Sequence, residues 1–348
     1  MNLLIYSREN LTFKESLSIE SFEVTLDTVI NSESSFVTAG GSGSARQEDI
    51  AILHERSFFY IGIVKKISSE GIKTKISTTH FNSVLEAEYI TRNFSLGKYG
   101  DHIKTLITDT LINSNDAAQN MSYLQVVNES IATGTVVVTK PEVSTIASFI
   151  NELNATTGIR LETRLGIING KITHLKMVIV EAVTTMKLRY DLALLRNLSI
   201  NEDGNTPLNK VILFGDGLAT LSYYLLTDGS VSTNASSPLR IRPVNYSYVE
   251  YQSTDTPLTI ASKELVKDKF LHAITFDVSL DNQIFIPFTN AYLGDQIEFI
   301  TETKTIPTLI SQIKFKNTLK ECSIILGEHR LKLTEKLKMI ERRTKYGN

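Results

Sequence analysis

Short runs of alternating apolar and polar residues dominate this sequence and predict half-buried β-strands. Phe22, Val24, Leu26 and Ile30 share one parity, with Glu23, Thr25 and Asp27 on the other. Phe59, Ile61 and Ile63 alternate likewise, and Ile72, Thr74 and Ile76 follow a hairpin signal at Ser69-Glu70-Gly71. Between these runs, Thr38-Ala39-Gly40-Gly41-Ser42-Gly43-Ser44 is too rich in Gly and Ser to pack and is expected to be a mobile loop. The first stretch of the chain therefore reads as one antiparallel β unit.

From Asp101 the period changes. Ile103, Leu106, Ile107 and Leu111 fall at helical spacing. A second helix has Pro141 at or near its first turn, Val143, Ile146, Ala147, Ile150 and Leu153 on one face, and Gly158 as its stop. Thr135 to Val138 reads as a buried strand between them. Ile159 to Glu162 and Ile172 to Val180 read as strands, the second entered through a turn at Asn169-Gly170. This middle part is a compact α+β unit.

Beyond residue 200 the strand texture returns at Lys210–Phe214, Ser222–Leu226, Ala273–Leu280, Gln283–Phe288 and Gln296–Thr301. Turns are predicted at Asp203-Gly204, Asp216-Gly217, Asp228-Gly229, Asp281-Asn282 and Gly294-Asp295. An excursion over 235–272 interrupts them and carries a helix from Ile260 to Phe270. The stretch from His329 to Arg343 is helix-like and basic, with a thin stripe of Leu333, Leu337 and Ile340.

Composition narrows the function. The 348 residues carry 36 Lys+Arg against 38 Asp+Glu, a net charge of −2, so the chain lacks the basic excess of a general nucleic-acid binder. Its single cysteine, Cys322, excludes an intramolecular disulfide framework and a Cys-based zinc site. No apolar run reaches the length of a membrane-spanning helix, and Met1 to Arg8 lacks the basic start and apolar core of a signal peptide.

Candidate chemistry is sparse. No two of His54, His80, His102, His174, His272 and His329 stand close enough in sequence for a local two-histidine metal motif. Cys322 lies in an apolar strand, where a structural thiol is expected in place of a nucleophile. Gly40-Gly41-Ser42-Gly43-Ser44 lacks the final glycine and the strand-to-helix frame of a nucleophile elbow. Gly166 to Lys171 is one spacer short of a phosphate loop, with Ile172 in place of Ser/Thr, and reads as a β-turn. Asn201 to Asn205 has acidic turn residues without the downstream Glu of a calcium loop. Glu86 and Glu88 would share a strand face, as solvated carboxylates often do. The basic stretch from Arg330 to Lys345 reads as a solvated helix or as a docking tail for an acidic partner. Tyr246 and Tyr248 share a strand face, while Tyr251 does not. No catalytic, cofactor-binding or metal-binding residue is assigned, and no cofactor is expected.

One ordered series carries a family resemblance. It runs from Tyr223 to Ser230, returns at Ile274 to Leu280, continues through Ile286-Pro287-Phe288 to Leu293-Gly294-Asp295 and Phe299, and closes at Ser323 to Arg330 with a Lys/Leu helix. This series resembles the baseplate hub, or tail-tip, proteins of long-tailed bacteriophages. That group includes prophage tail proteins labelled endopeptidases and the N-terminal hub part of tail-associated lysins.

The resemblance implies an α+β, mainly β fold with two tube-like antiparallel β-barrel domains. The first spans 1–100, an inserted α+β domain spans 101–200, and the second combines 201–234 with 273–328. A segment at 235–272 is inserted in the second barrel, and a basic helical tail follows at 329–348. The structural motif is Leu293, Gly294 and Asp295, a barrel corner, with Gly327 near the close. The resemblance further implies a homotrimer that adapts the sixfold tail tube to a threefold tip. Its partners would be the distal tail protein ring, the tape-measure protein and tip, fibre or receptor-binding components. DNA would be transient channel cargo, and no stable membrane insertion is implied. The virion tail tip is the implied location, with assembly in the bacterial host cytoplasm. No enzyme activity is implied by these residues, since the lysins carry their catalytic domain beyond the hub. The other functions weighed are a peptidoglycan endopeptidase and a host-surface binding module.

Overall fold

The computed structural model describes residues 1–28, 32–41, 43–55, 58–136, 138, 141–182, 186–201, 208–215, 217–227, 230–252, 256–266, 272–281 and 285–327. The expected turns at Asp203-Gly204 and Asp228-Gly229, the strand start at Gln283, and the basic tail at 329–348 lie outside the described residues. Two compact units emerge: Met1–Ser199 with Thr275–Leu326, and Ile200–Ile274 with the chain from Gly327.

The first unit begins with six strands: β1 (Asn2–Tyr6), β2 (Phe13–Asp27), β3 (Glu33–Ala39), β4 (Ile50–Glu55), β5 (Phe58–Glu70) and β6 (Lys73–His80). Their order is β1-β4-β5-β6-β3-β2, and β1 pairs again with β2, so the sheet closes into a six-stranded antiparallel barrel. Closure leaves no free edge within this ring. Register places Leu3 opposite Leu53 and Ile5 opposite Ala51 on one face, all fully buried. The alternation at Phe59, Ile61 and Ile63 predicts one buried face, yet β4 and β5 are buried on both. Ile50, Ile52, Ile61 and Ile63 join the core of the inserted domain, while Ala51, Leu53 and Tyr60 face the other way. The run Ile50-Ala51-Ile52-Leu53 is apolar throughout for that reason.

A 3-10 turn at Phe81–Glu86 leads into the insert. It holds β7 (Glu88–Ile90), β8 (Phe94–Lys98), α1 (Tyr99–Ile107), β9 (Leu124–Asn128), β10 (Thr133–Val136), β11 (Val143–Thr145), α2 (Ile146–Thr157), β12 (Ile159–Ile168) and β13 (Lys171–Glu181). The sheet runs β12-β13-β9, with β9 parallel to β13. Asn169 and Gly170 both take positive φ, 50° and 75°, as the two-residue hairpin requires. α2 starts later than Pro141 predicts. Thr145 is its N-cap, accepting from Ser148 N at 3.2 Å, and Val143 is an exposed strand residue opposite Ile90. Gly158 stops the helix at φ 76°, as expected. Of the buried strand expected at Thr135–Val138, Thr135 and Val136 lie in β10, which is half exposed and, among the described residues, pairs with β8 in a two-stranded ribbon.

The chain then forms β14 (Lys187–Arg189) and β15 (Leu195–Asn201). It leaves for β16 (Lys210–Phe214), β17 (Leu221–Leu225), β18 (Val231–Ser232), β19 (Tyr246–Glu250) and α3 (Pro257–Val266). It returns as β20 (Ala273–Ser279), β21 (Gln296–Ile300), β22 (Thr305–Lys316) and β23 (Glu321–Gly327). A second six-stranded array runs β14-β21-β22-β23-β20-β15, and β22 also pairs with β2 of the barrel. Among the described residues this array is open, with β14 and β15 at its ends.

The strands at 210–232, expected in the second barrel, belong elsewhere. β16 has β17 on one side and β19 on the other, so it offers no edge to β20–β23. The second array instead takes β14 and β15 from the stretch expected in the α+β insert. Phe285–Phe288 is irregular where a strand was expected. Phe285 is buried against Phe276, with ring centroids 6.0 Å apart, and Phe288 takes φ 63°.

Candidate functional site

Leu293, Gly294 and Asp295 turn the chain into β21, and the structure brings the last two against the inserted domain. Gly294 N donates to Ile310 O at 2.9 Å and Ile310 N donates to Asp295 O at 2.9 Å, which ties the corner to β22. Gly294 takes φ 83°, and a Cβ there would stand 3.1 Å from Asn154 Nδ2 and 3.3 Å from Arg160 Cβ. Glycine thus serves both the backbone bend and the close approach of α2 and β12. The Asn154 amide donates to Gly294 O at 3.0 Å, and Gln296 Nε2 donates back to Asn154 O at 2.9 Å.

Asp295 is the charged centre of this clamp. Its Oδ1 accepts from Arg160 Nε at 2.6 Å, and its Oδ2 accepts from Tyr292 N at 2.8 Å. Arg160 also donates through Nη1 to Glu162 Oε1 at 2.5 Å and lies 4.4 Å over the Tyr292 ring. Arg164 donates to Glu162 Oε2 from Nε and Nη2, at 2.9 and 2.6 Å. Side chains of Arg160 and Asp295 are only 8% and 9% exposed. Burial pushes the Asp295 carboxyl above its ordinary value, against the opposing pull of Arg160. Desolvation therefore outweighs attraction, the usual condition of a buried ion pair. The arrangement fixes two domains in register and presents no nucleophile or open coordination position.

The partners of this corner were not legible in the sequence. Arg160, Glu162 and Arg164 alternate along β12, so their shared strand face was legible; what lay opposite was not. Gly327 is not part of this clamp. It ends β23 at φ 75°, where a Cβ would stand 2.0 Å from His272 O.

The remaining candidates disperse. Among the described residues no group of three or more His, Cys, Asp or Glu is placed to hold a metal ion. His80 is half-buried, and desolvation lowers its pKa to about 4; its Nδ1 accepts from Asn82 N at 3.2 Å. Cys322 is buried in β23, and burial pushes its thiol up to about 12, which suppresses thiolate formation. At the end of the Gly/Ser loop, Gly43 N, Ser44 N and Ala45 N donate to the Glu15 carboxylate at 3.3, 3.3 and 2.7 Å. A cleft of about 940 Å³ opens between the barrel and the insert, lined by Arg8, Lys14, Glu48, Asp49 and Met121 among others. Two ion pairs lie in its wall, Arg8 with Glu48 and Lys14 with Asp49.

The fold is similar to that of phage and prophage tail proteins. A tail protein from Neisseria meningitidis MC58 superposes with a TM-score of 0.55 at 12% identity, over 94% of this chain and 97% of that one. Prophage tail protein gp18 from Listeria monocytogenes EGD-e gives 0.54 at 13% identity, over 99% of this chain and all of its own, 100%. A chain of the p2 virion baseplate in its activated conformation gives 0.51 at 11% identity, over 95% and 100%. No protein-family model matches the sequence, and no curated protein sequence does either.

Proposed function

We infer that this chain is a structural subunit of a phage or prophage tail baseplate, acting as the hub at the tail tip. The observation that carries the reading is the pair of six-stranded β arrays joined in one polypeptide through the β2–β22 pairing. Three copies would present six arrays, which suits a threefold hub seated on a sixfold ring. In that arrangement the subunit meets the distal tail protein ring above and the tape-measure protein near the axis. Tip, fibre or receptor-binding components meet it below, and DNA passes through without stable binding. The near-neutral charge supports a conduit that does not grip its cargo. The working place is the virion tail tip, after assembly in the host cytoplasm.

The role is architectural. The buried thiol of Cys322, held neutral by its raised pKa, supports that reading. Among the described residues no helix is long and apolar enough to cross a membrane.

The test is copy number in assembled particles. Averaged electron images of isolated tails, reconstructed without imposed symmetry, should show three copies of this chain at the tip. Two or six copies would end the reading. A cell-wall zymogram of the purified chain should show no clearing. A clearing band abolished by one His or carboxylate substitution would replace the hub with the endopeptidase.

A further inference from the structure

The second unit seals one face of its sheet with α3; on the other face Tyr224 is buried beneath Arg240, while Tyr246 and Tyr248 remain exposed. Val211, Leu213 and Tyr223 share a core with Ala261 and Leu265 of α3. Alternation then turns Lys210 and Phe214 to the opposite face. Register sets Lys210 beside Tyr246, Ile212 beside Tyr248 and Phe214 beside Glu250. Tyr246 and Tyr248 are 55% and 56% exposed, and their rings meet edge to face at 5.7 Å.

Two cations gather at one end of this aromatic strip. Lys210 Nζ lies 5.8 Å from the Tyr224 ring centre and 5.9 Å from that of Tyr246. The Arg240 guanidinium stands 4.1 Å over Tyr224 and is held in place by Nη1 donating to Ala235 O at 2.8 Å. Among the described residues neither cation is paired with a carboxylate. The exposed Glu250 closes the other end of the strip.

We propose that this face binds an acidic saccharide. Its carboxylate or phosphate group meets Lys210 and Arg240, its ring faces lie against Tyr246 and Tyr248, and its hydroxyls donate to Glu250. The charge layout selects this occupant. A nucleic acid carries a phosphate at every residue and would have to run past the Glu250 carboxylate. A basic peptide is repelled at the Lys210 and Arg240 end. Two exposed tyrosines offer rigid amphipathic contact at low entropic cost. The face is open, so each contact is weak, and repeated copies on one tip would raise the net avidity. Only that avidity rests on the hub reading; the face belongs to a single chain.

The experiment is saturation-transfer NMR and calorimetry on the full chain with three probes: oligogalacturonate, neutral dextran and an oligothymidylate. Oligogalacturonate should bind, dextran should bind at least about tenfold more weakly, and the oligothymidylate should not compete. The Tyr246→Ala/Tyr248→Ala variant should lose about tenfold or more of the affinity, and Lys210→Gln combined with Arg240→Gln should remove most of the salt dependence. Both tyrosines are more than half exposed, so an unchanged circular-dichroism melt will show that the variant is folded. Absence of oligogalacturonate binding, equal binding by the folded double variant, or tighter binding of the oligothymidylate would each overturn the proposal. These outcomes are read on the chain in solution and are independent of its copy number in tails.

Discussion

Removing the Asp295 carboxylate should uncouple the inserted domain from the second array. In Asp295→Ala the Arg160 guanidinium stays buried, at 8% exposure, without its 2.6 Å partner. Breaking a buried pair from one side costs about 3–5 kcal/mol. Arg160 keeps Glu162 at 2.5 Å and the Tyr292 ring at 4.4 Å, so the low end applies, about 3 kcal/mol. Tyr292 N also loses its acceptor, for about 1 kcal/mol more. Asp295→Asn keeps an oxygen there and isolates the charge. Arg160→Met combined with Asp295→Asn removes both charges and should cost clearly less than the two single changes together, with a coupling of about 2 kcal/mol. Urea unfolding followed by tyrosine emission reads this well, since the chain has no Trp. At about 1–3 kcal/mol per molar urea, a loss of 3 kcal/mol moves the midpoint by about 1–3 M. Strict additivity of the single changes, or a cost for Asp295→Ala under about 1 kcal/mol, would refute the clamp.

Acid should act on this corner in an unusual sense. The Asp295 carboxyl is raised in the folded state, so its contribution is fully present below its unfolded value and is lost as pH rises through its folded one. The stability difference between wild type and Asp295→Asn should therefore shift toward wild type as pH falls through the window above 3.8; a shift toward the variant in paired pH titrations would contradict this. Gly294→Ala should cost about 1–2 kcal/mol from left-handed backbone strain. Gly327→Ala should cost more, because its Cβ also meets the His272 carbonyl at 2.0 Å. Thermal melts giving the reverse order would overturn that reasoning. Glu15→Ala should speed hydrogen exchange at Gly43, Ser44 and Ala45, and equal rates in the two proteins would show that the tether does nothing.

Strand positions were legible at some of the segments where one face meets water. β16 runs from Lys210 to Phe214 as alternation predicts, and the Asn169-Gly170 hairpin falls where the dipeptide places it. Pairing was not legible. Lys210–Phe214 carries the same pattern whether its neighbour is β19 or β20, because alternation records only which side of a strand is buried. The start of α2 was misplaced because Pro141 tolerates a helix start without enforcing one, whereas Thr145 caps directly. The bonds from the end of the Gly/Ser loop to Glu15 were not legible because Glu15 lies on another strand. Asp295 was visible as a turn residue, but its counter-ion comes from 135 positions away.

β2 merits a last mechanical thought. Its first half pairs with β1, its second half with β22, and β3 lies along it between. One continuous backbone of 15 residues thus serves as the seam of the ring and the root of the neighbouring array. The two arrays share a girder with no linker between them. A force pulling the two arrays apart along β2 would load its hydrogen bonds in shear, many at once.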